Sequence, residues 1–243
     1  MAVSTPEKFI TLGHPSYVWR RGQERRLDLI RKHVDLEGKR VLDVGCGIGT
    51  YVQRFQMFTP HAYGVDIDPE KVEIAQRTLS NISWAPAEEL PFEDNSFDVI
   101  MLHEVIEHVD DDRQTIREAV RCLQPGGKLI IFAPNRLYPF ETHGFYFRER
   151  FIFRLLPLIN YTPDFFRNKF CHHVRIYTRR GIERLFVGLA VDFPVRSHIY
   201  PGFDNIAQRK PLLGQVLQLV TDVAERTPLR AFGISHFIVA QKR

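Results

Sequence analysis

The chain predicts a doubly wound α/β fold built on a seven-stranded, mostly parallel sheet with helices on both faces. Three observations carry that prediction. Short apolar runs alternate with helical segments from Arg40 to Phe132. Those runs are apolar nearly throughout, as strands covered on both faces must be. A glycine-rich turn follows the first of them, and strand–helix alternation is the pattern of such sheets.

Residues 17–34 form a charged amphipathic segment whose apolar contributors are Val18, Leu27, Ile30 and Val34, and a helix is expected there. Arg40–Val44 is the first strand, and a helix starts at Thr50 and runs to Phe58. Ala62–Asp66 is the second strand. Asp68 and Pro69 then supply an N-cap and a first-turn proline for a helix to about Leu79. Ile82–Ala85 and Phe97–Leu102 are strands three and four. A helix from about Asp112 to Leu123 ends at Pro125-Gly126-Gly127, and Lys128–Phe132 is strand five.

The rhythm breaks between Tyr138 and Tyr177, where aromatic and basic residues dominate, and an insertion of helices and loops is expected. A helix near Arg179–Val187, a strand near Val191–Ile199, a helix near Leu212–Glu225 and a strand near His236–Ala240 complete the set. Pro194 inside the sixth strand demands an edge position or a bulge. One domain over 1–243 follows. It comprises an N-terminal helical segment (1–36), a cofactor-binding core (37–137), an aromatic and basic insertion or lid (138–177) and the C-terminal part of the core (178–243).

Composition narrows the function classes. The net charge of +4 is a mild excess, far below the basic loading of a dedicated nucleic-acid binder, so nucleic acid is not the expected partner. Cys46, Cys122 and Cys171 are odd in number and widely spaced, which argues against a disulfide framework and for a reducing cytoplasm. The N-terminal residues lack the apolar core of a signal peptide. No apolar run approaches the roughly 20 residues that span a bilayer. Oligomeric state leaves no mark in the sequence.

Val41-Leu42-Asp43-Val44-Gly45-Cys46-Gly47-Ile48-Gly49-Thr50 is the most informative segment. Glycines at a strand end permit a sharp turn and let a ligand approach backbone amides. The dinucleotide fingerprint needs a third glycine where this chain has Thr50. The G-x-G-x-G run, with Asp43 ahead of it, resembles motif I of class I S-adenosylmethionine-dependent methyltransferases. Similarity of motif order extends over roughly 35–135.

That resemblance implies the Rossmann-like methyltransferase fold and S-adenosylmethionine as cofactor. It places Asp43, Gly45, Cys46, Gly47 and Gly49 at the methionine part of the cofactor. Asp66, ending the second strand, would take the ribose diol, a pairing that suits a carboxylate accepting two hydrogen bonds. Ile67 would offer an apolar edge to adenine. Ala87 and Glu88, in Ala87-Glu88-Glu89-Leu90-Pro91-Phe92, match the adenine-binding loop, although Pro86 stands where the family usually has Asp. The His103 position commonly touches the cofactor.

After strand four comes His103-Glu104-Val105-Ile106-Glu107-His108, similar to the E-x-x-E-H of quinone-ring O-methyltransferases and small-RNA 2′-O-methyltransferases. The resemblance makes Glu104, Glu107 and His108 ligands of a divalent metal such as Mg²⁺ or Zn²⁺. His173, from Cys171-His172-His173-Val174-Arg175, is matched to a further ligand. If the segment is helical, the first three share a face. A capped helix start with a packing histidine is the competing reading.

Beyond strand five, Glu141-Thr142-His143-Gly144 should border the methyl acceptor, because ligands gather at the carboxyl ends of such strands. His143 suits a general base and Glu141 an orienting partner. A loop held by ordinary hydrogen bonds is the alternative. The stretch 145–158 carries Phe145, Phe147, Phe151, Phe153, Leu155, Leu156 and Leu158 among Arg148, Arg150 and Arg154. A lid over a hydrophobic small-molecule acceptor, peripheral contact with an anionic membrane, and plain packing all remain open.

The expected reaction is in-line transfer of a methyl group to an acceptor oxygen. A nicotinamide-dependent oxidoreductase, a non-catalytic cofactor-binding relative and a metal-dependent 2′-O-methyltransferase of RNA ends are the alternatives.

Overall fold

Strand β1 (Val41–Val44) has no exposed residue, and β4 (Phe97–His103) is buried along nearly its whole length. Their side chains separate onto the two faces. Val99 and Met101 join one apolar cluster, whereas Ile100 and Leu102 join the other. A sheet buried on both faces follows. The computed structural model describes residues 19–243, so Val18 and the rest of 1–18 lie outside the described residues.

The sheet order is β10-β11-β5-β4-β1-β2-β3. In it β2 is Ala62–Asp66, β3 Ile82–Trp84, β5 Leu123–Pro134, β10 Val191–Ile199 and β11 Ser235–Lys242. The pairs β3/β2, β2/β1, β1/β4 and β4/β5 are parallel, and β11 runs antiparallel to both β5 and β10. Strand order reverses between β1 and β4, and the carboxyl ends there open a crevice.

Helices α1 (Arg21–His33), α2 (Thr50–Phe55) and α3 (Pro69–Gln76) cover one face through Leu27, Ile30, Val52, Phe55, Val72 and Ala75. Each large side chain so buried contributes about 1.5–3 kcal/mol. Helix α4 (Asp112–Cys122) covers the other face through Ile116, Ala119 and Val120. The Asp68 carboxylate accepts from the Glu70 amide at 3.0 Å with Pro69 in the first turn, the N-terminus expected of α3. Pro194 sits in an edge strand at a register shift between Asp192 and Val195.

The insertion after β5 departs from expectation. It is largely loop, as expected, but its regular elements include four short strands as well as helical turns. Strand β6 (Phe140–Glu141) pairs with β9 (Leu156–Pro157), and between them β7 (Phe145–Phe147) pairs with β8 (Arg150–Ile152). Phe145, Phe147, Phe151 and Phe153 fall at every second position within each arm, which is the period of a strand. Its helical content is one 3₁₀ turn and α5 (Asp164–Arg167).

Helix α6 (Arg179–Leu185) adds Ile182 and Leu185 to the second face. Helix α7 (Asp204–Arg209) is an element beyond those expected. Its Asp204 carboxylate accepts from the Arg21 and Gly22 amides at 3.0 and 3.2 Å and so caps α1. Helix α8 (Pro211–Ala224) precedes the final strand. No helix among the described residues is long and apolar enough to cross a membrane.

Candidate active site

Register sets out the site. Val44 lies between Val65 on β2 and Leu102 on β4, so the next residues, Asp66, Gly45 and His103, stand in one row at the carboxyl ends. The Gly45 and Cys46 amides both donate to the Val65 carbonyl, at 2.8 and 2.9 Å, which turns the chain sharply. Gly45 adopts φ +74°, and a Cβ there would lie 2.5 Å from Val105 Cγ2. Gly49 adopts φ +81°, and a Cβ there would press on Leu79 Cδ1. A side chain at either turn position would carry backbone strain and require its neighbour to shift.

Asp66 is held rigidly. Its Oδ2 accepts from the Gly47 amide at 2.7 Å and its Oδ1 from the Asp68 amide at 2.8 Å. Each oxygen retains acceptor capacity toward the crevice. Asp43 is buried beside it, and burial followed by the Asp66 charge pushes its carboxyl well above the usual range.

These residues wall a cavity of about 880 Å³. Asp43, Gly45, Cys46, Gly47, Asp66, Ile67, Ala87, Glu88 and His103 all line it, so the structure brings together the expected cofactor set except Gly49, which shapes the turn from behind. A cavity of this size could hold a nucleoside linked to an amino acid, with the Asp66 carboxylate on its wall able to accept from a diol. Two buried polar atoms on the lining, Tyr51 Oη and His103 Nε2, have no hydrogen-bond partner among the described residues. Their rings lie 4.9 Å apart between centroids. Burial and then Arg26 bring His103 down to about 3, so its imidazole is neutral at pH 7.

Glu88 has a different engagement from the adenine contact considered above. Its Oε1 accepts from the Asp110 and Asp111 amides at 2.9 and 3.3 Å, bracing the chain before α4. The side chain remains on the cavity wall.

The segment 103–108 is not helical. Glu104 takes φ +54°, and its amide donates to the Phe132 carbonyl at 2.9 Å, so the chain swings away from the helical path at once. The four-residue ligand set consequently does not assemble. Glu104 turns to the Ser235 hydroxyl and lies 3.8 Å from Arg26. His173 Nε2 points to the His143 carbonyl at 3.4 Å, and its ring packs against Tyr146 and Phe151.

A different trio converges. Glu107, His108 and His143 offer ligand atoms that all lie within 4.8 Å of one another. Glu107 is buried, and neither carboxylate oxygen meets a hydrogen-bond donor among the described residues. His108 Nδ1 is likewise buried without a partner among them. Burial and the neighbouring Glu104 charge push the Glu107 carboxyl well above its usual range.

His143 is oriented from below. Its Nδ1 and its amide each lie 2.9 Å from Glu141 Oε1, while Glu141 Oε2 receives the Arg167 guanidinium. Burial works against ionisation of Glu141, but hydrogen bonds and charge from His143, together with Arg167, bring its carboxyl down to about 2. Arg167 also donates to Asn160 and to the carbonyls of Cys171 and Val174.

A second cavity of about 320 Å³ adjoins the first. The two share Gln23, His103, Glu104 and His143, and Tyr138, Phe140, Asn160 and Ile176 line the smaller one. Gln23, Tyr51, Arg26 and Arg167 were not singled out in the sequence reading. Tyr51 directly follows the glycine motif and was within reach of it. The others come from segments that carry no motif.

Comparison with known proteins agrees with this geometry. The family profile described as a methyltransferase domain matches residues 42–131. A ubiquinone biosynthesis O-methyltransferase of Xanthomonas oryzae is 36% identical over 118 residues, covering 46% of this chain and 49% of that one. Its counterpart in Coxiella burnetii is 31% identical over 138 residues, covering 54% and 58%. The chain thus spans about half the length of the relatives it matches.

Solved structures share the fold. An S-adenosylmethionine-dependent methyltransferase from Mesorhizobium loti superposes with a TM-score of 0.58 at 16% identity, covering 88% of this chain and 96% of that one. The PH0226 protein of Pyrococcus horikoshii gives 0.61 at 16% identity, covering 99% and 100%. Strand order, glycine turn and family match coincide: residues 42–131 match a methyltransferase domain, on the fold that those solved structures share.

Proposed function

We propose that the protein transfers the methyl group of S-adenosylmethionine to an oxygen of a small apolar acceptor, a quinone-ring hydroxyl or one of similar chemistry. The observation that carries this reading is the join between the two cavities. A nucleoside-sized chamber walled by Asp66 and the glycine turn meets a smaller, aromatic-sided chamber at His143. The names of the Xanthomonas and Coxiella relatives support an oxygen acceptor.

When bound, S-adenosylmethionine supplies an electrophilic methyl carbon and a neutral thioether leaving group. The protein's own part is alignment and proton removal. Asp66 would hold the ribose hydroxyls and the turn from Gly45 to Gly47 the amino-acid part, with Asp43, Ile67 and Ala87 completing the wall. Tyr138 and Phe140 exclude water from the acceptor side. His143, with Nδ1 turned to Glu141, presents Nε2 to the acceptor hydroxyl and takes its proton. Glu141, kept ionised by His143 and Arg167, stabilises the imidazolium so formed.

A metal-assisted form of the same reaction is favoured by the two donor-less oxygens of Glu107. In that form Glu107, His108 and His143 hold a divalent ion, and Glu141 and Arg167 become the outer partners that orient His143. Two imidazoles and one carboxylate suit Zn²⁺ better than Mg²⁺. The ion would screen the crowded carboxylates and lower the acidity threshold of the acceptor hydroxyl.

The acceptor reaches the pocket past the β6–β9 insertion. Phe147, Phe153, Leu155 and Leu158 are exposed there beside Arg148, Arg150 and Arg154, a surface suited to an apolar acceptor or to peripheral membrane contact. The three cysteines are all free and buried, in keeping with a reducing cytoplasm.

Incubation of the purified protein with methyl-labelled cofactor and fractionated cell extract tests the assignment. Label in an organic-extractable hydroxyl compound is expected. Label confined to small RNA would replace this reading with the RNA-end reaction, and label in no fraction, despite adenosylhomocysteine binding, would refute catalysis.

A further inference from the structure

Helix α8 turns its apolar side outward. Its buried positions are Gly214, Gln218, Thr221 and Ala224, none of them a large apolar residue. Gln218 Oε1 accepts from Arg21 at 2.9 Å, and its Nε2 donates to the Gly202 carbonyl at 2.9 Å. Leu212, Val216, Leu219 and Val223 are 80%, 57%, 66% and 55% exposed. Their spacing of four, three and four residues makes one stripe along a helix of about 21 Å, at 1.5 Å per residue. The turn at Pro228–Phe232 adds exposed Leu229 and Phe232. Water is a poor partner for such a stripe.

The charges around the stripe have one sign. Asp222 turns inward to Arg25 and Arg21, at 3.1 and 3.3 Å, and Glu225 meets Arg25 at 2.7 Å. Arg209 and Lys210 stand before the helix, and Arg226 and Arg230 after it. All four are exposed, and none forms an ion pair among the described residues. Both acidic groups are thus neutralised while both ends stay cationic. A second copy laid on this face with two-fold symmetry would bring cation to cation, which disfavours self-pairing. An anionic lipid surface matches both features at once: headgroup phosphates for the ends and acyl chains for the stripe.

We propose that α8, with the turn that follows it, is an in-plane membrane anchor for anionic lipid. The anchor is tied to the acceptor side of the molecule. Asn135, on the wall of the smaller cavity, donates from Nδ2 to the carbonyls of Ala231 and Gly233 at 2.7 and 2.8 Å. Docking therefore places the acceptor pocket near the bilayer, where an apolar acceptor would be concentrated. That consequence rests on the proposed function; the lipid contact itself does not.

The test is co-sedimentation of the full chain with vesicles of phosphatidylcholine plus phosphatidylglycerol, and with phosphatidylcholine alone. Binding to the anionic vesicles, weakened by salt, is expected. The double variant Leu219→Glu, Val223→Glu should lose binding about tenfold or more while its melting curve stays unchanged, because both positions are exposed. Arg226→Glu with Arg230→Glu should weaken binding and flatten its salt dependence. Phe147→Ser with Leu155→Ser in the insertion should leave most of the binding intact. Failure of the full chain to bind anionic vesicles overturns the proposal, as does undiminished binding of the α8 variant. Light scattering that shows a dimer split by Leu219→Glu, without vesicle binding, assigns the face to a second copy and equally overturns it. None of these readouts requires methyl transfer.

Discussion

Arg167 and Glu141 form an ion pair from which both side chains are almost wholly withdrawn from solvent, 2% and 1% exposed respectively. The pair lies directly beneath His143, so the insertion after β5 is organised around a buried charge rather than an apolar core.

Replacing Arg167 with Met should cost on the order of 3–5 kcal/mol in urea unfolding, because Glu141 would keep its charge without its partner. The double variant Arg167→Met, Glu141→Leu should recover much of that loss. A single-variant cost below about 1 kcal/mol would show that the pair does not organise the insertion.

Asp66→Ala should weaken adenosylhomocysteine binding by roughly ten- to a hundredfold in titration calorimetry, the scale of one charge-assisted hydrogen bond or more. Asp66→Asn should fall between wild type and Ala. It keeps one accepting oxygen, but the amide nitrogen that replaces the other would face a backbone N–H. Unchanged heats for the Ala variant would remove Asp66 from the cofactor site.

Gly45→Ala should impair both stability and cofactor binding. The new methyl would meet Val105 at 2.5 Å in a backbone conformation that costs an L-residue about 1–2 kcal/mol. Pairing it with Val105→Ala should relieve the clash but not the backbone strain, so a partial rescue in Tm is the expected signature.

Stability should fall as the pH drops below about 6.5, the ordinary value for histidine. Burial, helped by Arg26, holds His103 at about 3, and burial with His236 holds His198 at about 4. A base with a lowered folded-state value is neutral in the native protein but takes up a proton on unfolding. Its stabilisation is therefore full above 6.5 and is lost progressively toward the folded value. His103 alone should contribute a slope of up to about 1.4 kcal/mol per pH unit, and the more exposed His198 less. Unfolding by denaturant between pH 7.5 and about 4.5 measures the slope; His103→Phe should flatten it.

If the trio of Glu107, His108 and His143 binds a cation, Zn²⁺ should raise the Tm of chelator-treated protein, and Glu107→Gln should abolish that shift. Full turnover after chelation, with no thermal response to Zn²⁺, Mn²⁺ or Mg²⁺, would leave His143 to act as a base alone.

Much of the core was legible because its signals are local. An apolar run covered on both faces, a glycine at positive φ and a carboxylate one step past a strand depend on neighbours within a few residues. The resemblance of the glycine run to a known motif added the expectation that Asp43, Gly45, Gly47 and Asp66 share one crevice, and all four line one cavity. Pro194 announced its edge strand for the same reason, since a residue with no N–H cannot serve a central ladder.

The acceptor side was decided by tertiary contacts. The E-x-x-E-H spacing is compatible with a shared helical face, but the Glu104 amide bonds the β5 carbonyl of Phe132, the segment is not helical, and Glu104 engages Ser235 and Arg26 while Glu107 and His108 meet His143. His143 replaces His173 beside them because Arg167, twenty-six residues from Glu141, fixes the loop. Linear spacing carries no information about such a closure. The inward polar face of α8 likewise depends on Arg21 and Arg25, nearly two hundred residues away in the chain.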